Sequence, residues 1–91
     1  MQFEWDAEKA QGNFEKHGVR FEIASGVFAD PHHITAIDDR FDYGEERSIT
    51  LGRTTDGILV VVTTERDEGQ TLRIISARKA NKRERRSYGD S

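Results

Sequence analysis

A chain of 91 residues, in which hydrophobic and charged residues each make up 34% and cysteine is missing, has material for one domain with a thin two-layer core. Disulfides, thiolate metal sites and thiol catalysis are excluded. No apolar run approaches the ~18 residues of a membrane helix and no signal peptide is seen, so a soluble, cytoplasmic protein without membrane contact is expected. The net charge of -3 hides a split: residues 1–72 carry 7 basic and 15 acidic side chains, residues 73–91 carry 7 and 2. A general nucleic-acid coat is thereby excluded, while a phosphate-facing patch remains open to the C-terminal end.

Gln2 to Trp5 reads as a short strand, with Asp6 placed to cap a helix over 7–17 whose apolar face is Ala7, Ala10 and Phe14. Lys16, His17 and Gly18 supply its basic last turn and left-handed cap. Phe21, Ala24 and Phe28 repeat the pattern over about 21–29, and Asp30-Pro31 stops it. The two form an amphipathic helical hairpin that needs a sheet to cover it. His33 to Ile37 is a weak strand, followed by the charged turn DDRFDYGEE. Arg47 to Arg53 alternates as a half-buried strand, Thr54 to Gly57 turns, and Ile58 to Thr64 is apolar on both faces for its first five residues, as a central strand is. A turn at 67–70 and an apolar strand over 72–77 complete a three-stranded antiparallel meander. The stretch from Asn81 to Tyr88 has charge without an apolar stripe and is either a short helix or a disordered end. The expected class is α+β, one domain over 1–91.

Asp30, His32, His33, Asp38 and Asp39 lie close together, but neighbouring histidines in extended chain point to opposite faces and no helical histidine pair is present, so no metal site and no cofactor is expected. Phosphate loops of the GxxxxGK[ST] or GxGxxG kind and a GxSxG elbow are also missing. The arginines at strand ends stand out: Arg47, Arg53, Arg66, Arg73 and Arg78. A guanidinium forks onto phosphate oxygens and stays charged at any working pH. A tight turn sets Arg53 opposite Ile58, and a turn at 67–70 sets Arg78 opposite Leu59. This pairing puts Arg53 and Arg78 at one end beside Lys82, Arg83, Glu84 and Arg85, with Arg47 and Arg66 roughly 26 Å away. His17 is a candidate acid or base near neutrality, although the helix dipole alone accounts for it. Tyr88 is either a proton donor, a stacking platform or a tail anchor.

FEWD at 3–6, N-x-x-K-H-G-V-x-F-E from Asn13 to Glu22, V-F-x-D-P at 27–31, D-x-R-x-D-Y-G-E-x-R from Asp38 to Arg47, L-G-R at 51–53 and I-I-S-A-R-K-A-N-K-R-E-R at 74–85 together resemble the BrnT toxin family over nearly the whole chain. The resemblance implies a type II toxin–antitoxin toxin with a RelE-like fold, helices packed on an antiparallel sheet. It also implies a ribonuclease that arrests translation, partnered by BrnA, a ribbon-helix-helix antitoxin through which alone operator DNA is bound. Arg53, Arg66 and Arg78 fall where such chains carry sheet arginines, and His17 matches the K-H-G motif. The KRER run with Tyr88 is similar to the C-terminal basic run and tyrosine of RelE toxins, with an interval one residue shorter.

The expected chemistry is metal-independent RNA cleavage by 2'-hydroxyl attack. The catalytic candidates are His17, Arg53, Arg66, Arg78, Arg83 and Tyr88, with Glu45 or Glu46 as substitute acid or base; Arg47, Lys79, Lys82, Arg85 and Arg86 are the RNA-binding candidates. Two alternatives stay open: a non-catalytic module that binds protein or nucleic acid through the basic C-terminal region, and an antitoxin-dependent corepressor.

Overall fold

The structure, a computed structural model, describes residues 1–39 and 44–89. Residues 40–43 of the expected charged turn, and with them part of the D-x-R-x-D-Y-G-E-x-R motif, lie outside the described residues. The elements in chain order are β1 (Gln2–Glu4), α1 (Ala7–His17), α2 (Phe21–Ala24) continued by a 3₁₀ turn (Ser25–Ala29), β2 (Ile34–Asp38), β3 (Arg47–Thr54), β4 (Gly57–Arg66), a second 3₁₀ turn (Asp67–Gly69), β5 (Thr71–Lys79) and α3 (Lys82–Gly89).

The five strands form one sheet in the order β1-β5-β4-β3-β2, with β4, whose run Ile58 to Val62 is apolar on both faces, at its centre as that run requires. The meander β3-β4-β5 is antiparallel and β2 adds to it antiparallel, but β1 joins β5 in parallel, Phe3 opposite Leu72. The sheet is therefore mixed. A three-residue strand whose residues stand 69 positions from their partners carries no local signal for its direction.

Strand alternation sorts the sheet into two faces. Thr50, Val61 and Ala77 stand in one row and Gly52 and Leu59 in the next row on the same face. This face meets α1, α2 and the first 3₁₀ turn, and the core of Val19, Phe21, Ala24, Val27, Leu59, Val61, Ile74 and Ala77 fills the space between. Each large side chain buried there is worth roughly 1.5–3 kcal/mol. Glycine at 52 is a packing requirement, because a Cβ on it would stand 2.7 Å from the Val27 Cβ and 2.8 Å from the Val27 carbonyl oxygen.

Helix α1 starts and stops where its sequence says. Asp6 accepts from the Glu8 and Lys9 amides at 2.8 and 3.1 Å, which holds its carboxyl below the ordinary range, and Gly18 closes the other end at φ 72°. Its buried stripe differs from the one expected. Phe14 is 39% exposed, whereas Asn13 is buried and ties helix to sheet: its amide nitrogen donates to the carbonyls of Val19 (3.1 Å) and Ala77 (2.8 Å), and its oxygen accepts from the Ala77 amide (3.1 Å). With three backbone partners waiting at this point, a polar residue belongs inside and the helix turns Phe14 to its flank.

The register of β5 also departs from expectation. Arg53 does lie opposite Ile58, but Arg78 lies opposite Val60 and not Leu59. Val62 pairs with Ser76 and Thr63 with Ile74, so Ile75 is an unpaired extra residue, a β-bulge that shifts everything beyond it by one.

The C-terminal segment is a helix. Asn81 and Glu84 form a reciprocal capping box, the Asn81 amide donating to Glu84 Oε1 (2.9 Å) and the Glu84 amide to Asn81 Oδ1 (2.8 Å). The N-x-x-E spacing was a readable start signal for α3, although the helix lacks an apolar stripe.

Candidate active site

Alternation puts Arg47, Arg53, Arg66, Arg73 and Arg78 on the same face of the sheet, the one turned away from α1 and α2. They differ in what holds them. Arg78 forks onto Glu84 of α3 with two bonds of 2.8 Å, Arg73 pairs with Glu4 of the neighbouring strand, and Arg47 and Arg66 share Glu45 at 3.3 and 3.7 Å. Arg53 alone of the five makes no ion pair with any described residue, and its side chain is exposed. Its guanidinium carbon stands 5.6 Å from the centre of the Tyr88 ring.

Asp30 organises this corner. Its Oδ2 accepts the Tyr88 hydroxyl hydrogen and also the Arg53 backbone amide at 2.7 Å, and its Oδ1 accepts the His32 amide at 2.9 Å. These donors, the Tyr88 hydroxyl foremost, hold the Asp30 carboxyl down to about 2, and the same bond raises Tyr88 above the ordinary phenol value. A carboxylate that caps the end of β3 thus fastens the C-terminal helix as well. Sequence reasoning placed Asp30 at a helix stop, in a family motif and in a metal-ligand test, and not at a site with Arg53 and Tyr88. No spacing signal could have found it, since its partners are 23 and 58 residues away.

The candidate residues are brought together only in part. Arg53, Tyr88 and Arg78 share one end of the open face, with Arg53 and Arg78 Cα atoms roughly 12 Å apart by strand spacing, but the Arg78 fork is already filled by Glu84. Tyr88 is 7% exposed and its hydroxyl is committed to Asp30. Arg47 and Arg66 lie at the far end, about 20 and 26 Å along the strands from Arg53. Glu45 serves both of them, and Glu46 contributes its carbonyl to the Thr64 hydroxyl at 2.8 Å. His17 ends α1 in the layer on the other side of the sheet, half-buried on the stripe that carries Ala10 and Asn13. At 3.6 residues per turn, Glu84 and Tyr88 define the inward side of α3, so Arg83 faces away from Arg53 and Arg78, with Lys82 and Arg86 beside it in solvent. Arg85 bonds the Ala80 carbonyl at 2.8 Å, and Lys79 is exposed at the strand end.

A shallow cavity of about 540 Å³ opens beside Arg53, lined also by Glu22, Ile23, Gly26, Thr54 and Thr55. It sets a guanidinium and a carboxylate, neither of them ion-paired to a described residue, on one wall system next to a helix that carries four cations. A cation of this kind can take up growing negative charge on a phosphoryl group, and a free carboxylate can accept a proton. Glu22 escaped sequence reasoning because it stands 31 residues from Arg53 and on a different layer.

No helix among the described residues is long and apolar enough to cross a membrane. None of the curated proteins matches the chain. A family model does, described as the ribonuclease toxin BrnT of type II toxin–antitoxin systems, over residues 5–84, a span that includes Glu22, Asp30, Arg53 and Arg78 and stops short of Tyr88. The chain belongs to the BrnT family of type II ribonuclease toxins, a class of toxin that is partnered by a protein antitoxin.

Proposed function

We propose that this chain is an endoribonuclease that works without a metal and inhibits translation in the cytoplasm. In the reaction the RNA 2'-hydroxyl attacks the adjacent phosphorus. The bond from phosphorus to the 5'-oxygen breaks, and the leaving oxygen takes a proton from solvent, giving a 2',3'-cyclic phosphate and a 5'-hydroxyl. The observation that carries this reading is the exposed Arg53 guanidinium, without an ion pair among the described residues, at the foot of a cationic helix in a chain of a ribonuclease family. Attack adds charge to the phosphoryl oxygens, and a preorganised donor aimed at that charge contributes about 2.7–4 kcal/mol to the rate. Glu22, on the wall of the same cavity, takes the 2'-hydroxyl proton in place of His17. Lys82, Arg83, Arg86 and Lys79 grip the RNA backbone from outside, where their contribution weakens with salt. Arg78 and Tyr88 act through position, holding α3 beside Arg53, and Arg47 and Arg66 lie outside the reacting centre.

The domain is read as RelE-like throughout 1–91, with its two N-terminal helices as a hairpin on the sheet. Its antitoxin is read as a BrnA-like ribbon-helix-helix protein that also carries the pair to operator DNA. A short ribbon-helix-helix reading frame beside this gene is the expected finding.

Purified protein incubated with RNA in EDTA, with and without ribosomes, is expected to leave 2',3'-cyclic phosphate ends. Intact RNA in every arm overturns the nuclease reading and leaves a non-catalytic binding module acting through α3.

A further inference from the structure

A second cavity, of about 320 Å³, lies on the helical side of the molecule and is not used by the chemistry above. Trp5, Phe14 and Arg20 form its aromatic and cationic wall, with Ala7, Ala10 and Phe21 beneath and Gln11 and Glu22 at the rim. Phe14 is a large apolar side chain left 39% exposed on a helix whose inward position went to Asn13. The Arg20 guanidinium carbon lies 4.9 Å from the Phe14 ring centre, and Trp5 is braced edge-on by the buried Phe21 at 6.0 Å. Glu22 lines this cavity and the Arg53 cavity alike, so the two open on either side of one residue.

We propose that this cavity is a nucleobase-binding subsite, holding a base of the RNA strand whose phosphate is engaged at Arg53; the assignment of the strand's path rests on the function proposed above. Flat aromatic walls with a stacked guanidinium suit the face of a base. The single cation, Arg20, shares the lining with Glu22, so the cavity has no net positive charge to favour a phosphate and offers donors and acceptors to a base edge. The subsite stacks the base on the Trp5 and Phe14 wall and leaves the backbone to pass Glu22 toward Arg53.

Trp5 is the only tryptophan, so its fluorescence reports this cavity directly. The probe is a short 2'-O-methyl RNA oligonucleotide, which has no 2'-hydroxyl to react, titrated in parallel with an abasic strand of equal length. The oligonucleotide is expected to quench Trp5 and the abasic strand to leave it unchanged. Phe14→Ala and, separately, Arg20→Ala are expected to weaken binding roughly 5- to 100-fold with an unaltered circular dichroism spectrum. Quenching by the abasic strand, no quenching at all, quenching by a protein antitoxin only, or unchanged affinity in both variants overturns the subsite. Arg53→Ala separates the two ideas. It is expected to keep the quenching and lose cleavage; full cleavage in Arg53→Ala defeats the Arg53 assignment alone, and wild-type affinity in Phe14→Ala and Arg20→Ala defeats the subsite alone.

Discussion

The two faces of the sheet are built from alternate residues of the same strands, yet they obey different rules. On the helical face the rows hold Val61, Leu59, Ile74 and Ala77, all buried, beside the buried Thr50 and Thr63, and Asn13, which ties α1 to the sheet, is fully satisfied. On the open face the same strands present five arginines, and four are neutralised by Glu84, Glu4 or Glu45. The comparison teaches that a cation at a strand end is by default a structural partner, and that the exception, Arg53, is the informative one.

Activity offers the sharpest way to break this distinction. Arg53→Ala is expected to lower RNA cleavage 10²- to 10³-fold, whereas Arg66→Ala, about 26 Å away along the strands and paired with Glu45, is expected to stay within about twofold. Equal losses in the two variants, measured by single-turnover cleavage, remove the special status of Arg53.

The helical face is tested through its polar anchor. Asn13→Ala leaves the Ala77 amide and the Val19 and Ala77 carbonyls without their partners and is expected to cost about 2–3 kcal/mol in urea unfolding. A loss below about 0.5 kcal/mol means that α1 is held by apolar contact alone.

The smallest effect lies at the Asp30–Tyr88 latch. The Asp30 pKa of about 2 in the fold is below the ~3.9 of an unfolded aspartate, so its stabilising effect is complete above about pH 4 and fades as pH falls toward 2. Tyr88 has the opposite sign: its raised value makes the bond's contribution complete below about pH 10 and lost in more alkaline solution. Melting temperatures followed between pH 2 and 5 are expected to fall less steeply in Tyr88→Phe than in the wild type. An unchanged acid slope shows that the latch does not couple to stability.

Much of the fold was legible because it depends on local pattern. Helix α1 matches its expected span, the tight turn after Thr54 puts Arg53 opposite Ile58, and the apolar run of β4 lies at the sheet centre. Legibility failed wherever one long-range partner outweighed the pattern. Asn13 displaced Phe14 from the core because Ala77, 64 residues on, offered it two bonds, and the bulge at Ile75 moved Arg78 by one place. The second helical segment begins as α-helix and tightens to 3₁₀ from Ser25, where the Val27 backbone packs close against Gly52 of β3.

The order of its residues alone was enough for this protein's class, its strand positions, its first helix, its family likeness and the arginines worth watching, because periodicity, caps and turn residues act over a few positions at a time. It did not decide that the C-terminal segment is helical. Which arginine has no counter-ion among the described residues was decided only in three dimensions. Glu84, Glu4 and Glu45 reach their arginines through strand register and the docking of α3, and Asp30 joins β3 to Tyr88 across the fold. Charge pairing depends on distance in space, and a linear sequence carries no measure of it.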